Sequence, residues 1–123
     1  MSERFLEIAR QEIESELNSL QEIFRLCTTD QQLYERIKDI EKHLHKIKGL
    51  APMMGEEKIG RLAKISDSIT KQVMKQGMID GSYDVISDSI HMMYEFFNCK
   101  SDKEIEDFER KVKKVLPKIL DDE

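Results

Sequence analysis

Apolar residues recur at three- and four-residue steps through most of the chain, with charged residues filling the positions between. That is the period of an α-helix with one buried face. The first stripe is Phe5, Ile8, Ala9, Ile13, Leu17, Leu20 and Phe24, predicting a helix over 2–26 with Ser2 as its cap. Cys27-Thr28-Thr29-Asp30 interrupts the period with capping residues. A second stripe, Leu33, Ile37, Ile40, Leu44, Ile47 and Ala51, predicts a helix over 31–51, capped by Thr28 or Thr29. Pro52 lacks an N–H and disfavours a helical residue before it, so a stop or kink belongs near Gly49–Met54.

The third segment, 56–76, opens with Glu56 and Glu57, acids suited to a helix N-terminus, runs through Ile59, Leu62, Ile65 or Ser66, Ile69 and Val73, and ends at Gly77. The fourth, 82–98, carries Val85, Ile86, Ile90, Met93, Phe96 and Phe97. The fifth, 102–120, carries Ile105, Phe108, Val112, Val115, Leu116 and Ile119, and Ser101-Asp-Lys-Glu104 before it has the form of a capping box. Five amphipathic helices joined by short connections predict an all-α fold: an up-down antiparallel four-helix bundle with an additional fifth helix on one side or over one end. At 123 residues, without repeats or low-complexity tracts, this is one domain.

Charge narrows the partners. The net charge of -5 makes the chain a poor general binder of nucleic acid or anionic membrane. The first ten residues are charged throughout, and no run approaches the roughly 18 apolar residues that span a bilayer. A cytoplasmic location is expected. Cys27 and Cys99, far apart and without a CxxC spacing, read as free, buried thiols. From Lys42 to Lys75, however, eight basic side chains face only Glu56, Glu57 and Asp67, a basic stretch suited to an acidic partner face.

That stretch also carries the candidate chemistry. On a helix, His45 shares a face with Lys48 and Gly49, three and four residues on. It lies about 100° round from the core residue Leu44, on the shoulder of the buried stripe. An imidazole of ordinary pKa, about 6.5, is largely neutral near pH 7, so one ring nitrogen is free to attack phosphorus. Lys48 places a cation at the right distance to steady a phosphoryl group. Gly49 costs a helix about 1 kcal/mol relative to alanine, and clearance for a partner approaching the ring is a reason to keep it.

The pattern His45-x-x-Lys48-Gly49-x-Ala51-x-x-x-Gly55 resembles the signature of histidine phosphotransfer domains. The long preceding helix, the Gly77-Met78 step and the last two helices extend the likeness over nearly the whole chain. They are most similar to the N-terminal phosphotransfer domains of chemotaxis histidine kinases of the CheA type. The resemblance implies that His45 accepts a phosphoryl group, usually on Nε2, from a kinase's ATP site or a receiver's aspartyl-phosphate, and donates it to a receiver aspartate. It implies no cofactor in this chain, with Mg²⁺ and ATP held by the partner domains. Those partners are a response-regulator receiver and a kinase catalytic domain, in cis or in trans. Chains of this kind resemble monomers. In the chemotaxis domains a glutamate 22 residues after the histidine fixes the ring tautomer; here that position is Asp67, one methylene shorter, so a direct bond to the ring is in question. Lys64 stands where those domains can place another histidine, and Gly60, Lys64, Asp67 and Lys71 are expected as one stripe beside His45.

His43 lies about 200° round the helix from His45, lacks a Lys-Gly pair after it, and is expected to be a solvated surface residue. The same rotation argues against a His43–His45 metal pair. His91 reads as a surface or boundary residue. Asp121-Asp122-Glu123 reads as a frayed end or the point where a longer protein was cut. The alternative function is a non-phosphorylated helical adaptor that binds a receiver or kinase through the same face.

Overall fold

The computed structural model describes residues 2–99 and 101–120, and in these the helical period becomes six helices and one short 3-10 turn. They are α1 (Glu3–Arg25), α2 (Asp30–Glu35), α3 (Ile37–Leu50), the turn Pro52–Met54, α4 (Glu57–Gln76), α5 (Ser82–Asn98) and α6 (Glu106–Val115). Helices α1, α3, α4 and α5 close a four-membered bundle, each packed on two neighbours, and α6 lies outside against α5. Contacts between helices run in opposite chain directions. Glu41, His45 and Pro52 meet Lys71, Asp67 and Gly60 in turn, and Arg10, Asn18 and Phe24 meet Phe97, Tyr94 and Tyr83. The bundle is antiparallel.

The core is the set of apolar positions that the period marks. Ile13, Leu17, Leu20, Ile40, Leu44, Ile47, Ile59, Leu62, Ile65, Ile69, Val85, Ile86 and Met93 are fully shielded. Each large aliphatic side chain so buried contributes roughly 1.5–3 kcal/mol, and together they set the helix rotations that carry the polar faces outward. Among the buried polar side chains, Ser66 Oγ donates to Ser89 Oγ at 2.6 Å, and Ser89 Oγ donates to the Leu62 carbonyl at 3.3 Å.

Helix ends follow the local chemistry. Ser2 Oγ accepts from the Phe5 N–H and Thr29 Oγ1 from the Gln32 N–H, as the capping pattern predicts. Before Pro52 helix α3 stops, and the Ala51 carbonyl accepts from the N–H groups of Met54 and Glu56 while Gly55 takes a left-handed φ of 75°. Gly77, at φ 97°, ends α4.

Four expectations need correction. The second predicted helix is two: Arg36 leaves helical geometry (φ -112°, ψ 14°), and its N–H turns back to the Leu33 carbonyl. The short α2 is anchored separately, because the Asp30 carboxylate accepts from the Gly81 and Tyr83 N–H groups at the start of α5. The last helix begins at Glu106, not at the capping-box sequence: Ser101 Oγ is taken by the Lys103 N–H, and Glu104 pairs with Lys58. It stops at Val115 because Leu116 precedes Pro117 and takes an extended φ of -138°. Phe5 and Ile8, placed in the buried stripe, are exposed at the outer end of α1. Cys27 is buried but Cys99 is exposed. The tail Asp121–Glu123 lies outside the described residues.

Candidate functional site

His45 stands on the α3 wall facing α4, with 59% of its side chain exposed. Leu44 and Ile47 on either side are fully buried, and they fix the turn of α3 that holds the imidazole at the bundle shoulder. Across the groove α4 presents Asp67, only 1% exposed. Asp67 Oδ2 lies 3.5 Å from His45 Nδ1, an ion-pair distance just beyond a good hydrogen bond, so the shorter acid faces the ring nitrogen without closing on it. Glu41, one helical turn before His45, brings Oε1 to 4.0 Å from the same nitrogen. Both acids address Nδ1, and neither is directed at Nε2.

Two ammonium groups share the Asp67 oxygen. Lys71 Nζ donates to Oδ2 at 2.8 Å and Lys48 Nζ at 3.3 Å. Lys71 also reaches to within 3.9 Å of Glu41 Oε1. Burial pushes the Asp67 carboxyl up, but the hydrogen bonds and charges of Lys71 and Lys48 outweigh it, and the group lies below the ordinary carboxylate range. Lys71 is raised in turn, chiefly by its hydrogen bond to Asp67 and against a smaller opposing effect of burial. Asp67 Oδ1 is buried and accepts no hydrogen bond.

Gly49, one turn past His45, leaves its flank open: a Cβ built there would find nothing within 4 Å. Gly60 differs. It is buried, and a Cβ there would lie 3.2 Å from Pro52 Cγ, so this glycine serves the packing of α4 under the Pro52 turn.

No protein-family model, curated protein or solved structure matches this chain. Its chemistry is therefore read from these side chains.

Of the residues singled out in the sequence, His45, Lys48, Gly49 and Asp67 come together. Lys64 does not join them: it is exposed, and the ammonium groups on Asp67 belong to Lys48 and Lys71. Lys71 therefore holds the central place in the stripe expected of α4. Glu41 was not foreseen, although its spacing of four before His45 is a signal that the sequence contains.

His43 also departs from expectation. It is partly buried on the other side of α3, where its Nδ1 is hydrogen-bonded to Glu16 Oε2, and Lys46 holds the second oxygen of Glu16 at 3.3 Å. This is a strut between α1 and α3. His91 is exposed on α5, as expected. No described helix is long and apolar enough to cross a membrane.

An imidazole with one nitrogen turned toward a buried carboxylate and the other free is arranged for nucleophilic attack. The acid favours the tautomer with the proton on Nδ1, which leaves the lone pair on Nε2. The flanking ammonium groups supply charge for an incoming anion.

Proposed function

We propose that the chain is a histidine phosphotransfer domain, phosphorylated on Nε2 of His45 and passing the phosphoryl group to a receiver aspartate in a phosphorelay. The observation that carries this reading is the half-exposed His45 ring with Nδ1 facing the buried Asp67 carboxylate and Gly49 leaving the approach clear. The match to His45-x-x-Lys48-Gly49-x-Ala51-x-x-x-Gly55 and the antiparallel bundle support it.

In the first half-reaction Nε2 attacks the γ-phosphorus of ATP held in a kinase domain. The bond from phosphorus to the bridging oxygen breaks, and its electron pair leaves with ADP. The ring, now substituted on Nε2 and protonated on Nδ1, is cationic, and Asp67 stabilises that charge. Lys48, the more loosely held of the two ammonium groups, turns from Asp67 to the phosphoryl oxygens. In the second half-reaction a receiver carboxylate oxygen attacks phosphorus, the N–P bond breaks, and the lone pair returns to Nε2. The kinase and receiver supply ATP and Mg²⁺, because positioning and charge neutralisation in their sites carry most of the rate. The basic surface of Lys42, Lys64, Lys71 and Lys75 suits the acidic pocket of a receiver.

The test is incubation with histidine kinase catalytic domains and γ-labelled ATP, followed by addition of receivers. Label that is acid-labile, base-stable, absent in His45→Ala and chased onto a receiver is expected. Absence of label with every donor, together with receiver binding, would mean an adaptor instead.

A further inference from the structure

Three side chains around His45 have the composition and geometry of a different kind of site. One donor atom each from Glu41, His45 and Asp67 lie within 4.8 Å of one another. Glu41 and His45 are one turn apart on α3, and Asp67 reaches in from α4, so two rigid helices hold the set. The donors around His45 Nδ1 stand 3.5 and 4.0 Å away. A tetrahedral ion with bonds of about 2.0–2.1 Å separates its ligands by roughly 3.3 Å, whereas an octahedral one at the same bond length needs roughly 2.9 Å. The observed 3.5 and 4.0 Å lie about 0.2 and 0.7 Å beyond the first spacing and further from the second, and rotation of the Glu41 and Asp67 side chains must close the difference. The Asp67 carboxylate also has an unused acceptor: it is 1% exposed and its Oδ1 accepts no hydrogen bond, although the oxygen beside His45 Nδ1 is Oδ2, so the carboxylate must turn to offer Oδ1 to an ion.

We propose that Glu41, His45 and Asp67 form a binding site for a tetrahedral divalent cation of the zinc class, with His45 bound through Nδ1 and water in the fourth position. One imidazole and two carboxylates suit zinc better than magnesium. Lys48 and Lys71 oppose the ion, because both sit on Asp67 Oδ2. Their side chains are 37% and 48% exposed, so solvent can receive them when the ion enters.

Binding has a consequence for the ring. A neutral imidazole bound to metal through Nδ1 carries its proton on Nε2 and has no lone pair there. Zinc and the phosphoryl group therefore exclude one another. This consequence rests on the phosphocarrier reading; the site itself does not.

The experiment is calorimetric titration of the full chain with zinc chloride in phosphate-free buffer, with the helix content of each variant checked by circular dichroism. One equivalent of zinc is expected to bind. Affinity falls about tenfold or more in Glu41→Gln and in His45→Asn, is unchanged in His43→Gln and His91→Gln, and rises in Lys71→Met, where a competing cation is gone. No saturable binding, binding that survives Glu41→Gln, or binding that follows His43 or His91 overturns the site. In a second arm the chain is labelled by a kinase with and without zinc. Labelling of the native chain is expected to fall with zinc and return with a chelator, while Glu41→Gln resists the same zinc. Zinc-insensitive labelling of a zinc-loaded chain overturns the exclusion alone. Absence of labelling under every condition overturns the phosphocarrier reading and leaves the calorimetry to decide the site.

Discussion

Gly49 occupies a helical position that alanine would fill better. It is next to last in α3, its φ is not positive, and a Cβ there meets nothing within 4 Å. Alanine is preferred over glycine by roughly 0.8–1 kcal/mol in a helix interior, and near a helix end roughly half of that or more remains. Gly49→Ala is therefore expected to stabilise the fold by about 0.5–1 kcal/mol, which for a chain of this size raises Tm by about 2–5 °C. Gly49→Gln keeps most of that helix gain but stands a longer side chain one turn from His45, in the approach of a docking partner. Misplacing reactants by about an ångström can cost on the order of a hundredfold in rate, so transfer to a receiver should fall by about tenfold or more. A thermal melt followed by circular dichroism reads the first quantity, and the rate of label loss from the phosphorylated chain to a receiver reads the second. A lower Tm in Gly49→Ala would mean that the glycine serves packing. Wild-type transfer by Gly49→Gln would refute the clearance argument.

Asp67 makes stability depend on pH with a definite sign. Its carboxyl lies below the ordinary range in the folded chain, so its contribution is present above the unfolded value of about 3.9 and is lost as pH falls through the folded one. Both lysine partners are more than a third exposed, so screening reduces the loss in Asp67→Asn to about 1 kcal/mol at pH 7. Urea unfolding should show that gap closing toward pH 3, and a gap constant with pH would contradict the assignment. The buried serines should differ: Ser89→Ala strips Ser66 of its acceptor and costs about 1–3 kcal/mol, whereas Ser66→Ala leaves Ser89 bonded to the Leu62 carbonyl and costs about 1 kcal/mol or less. Equal losses in chemical denaturation would remove the role given to the pair.

The bundle was legible because its core is made of aliphatic side chains at strict helical spacing, from Ile13 to Met93, and periodicity reads burial directly. Where the sequence misled, a local partner outweighed the pattern. Ser101 and Glu104 have the form of a cap, but each found another partner, and Phe5 and Ile8 keep the period beyond the end of the surfaces that could cover them. Around His45, the spacing of Lys48 and Gly49 placed two residues correctly. Lys64 and Lys71 share one stripe of α4 two turns apart, and it is Lys71 that stands level with Glu41 and takes the Asp67 oxygen. The His43–Glu16 bond joins residues on two different helices, and no spacing within one helix announces it.

The claim that Nε2 of His45 is the poised nucleophile is tested most directly by long-range ¹H–¹⁵N spectra of the histidine-labelled chain, before and after phosphorylation. The resting His45 ring is expected as the tautomer protonated on Nδ1, opposite to the usual preference of a free histidine side chain, with phosphorus coupled to Nε2 afterwards. A resting proton on Nε2, or phosphorus on Nδ1, His43 or His91, would contradict it.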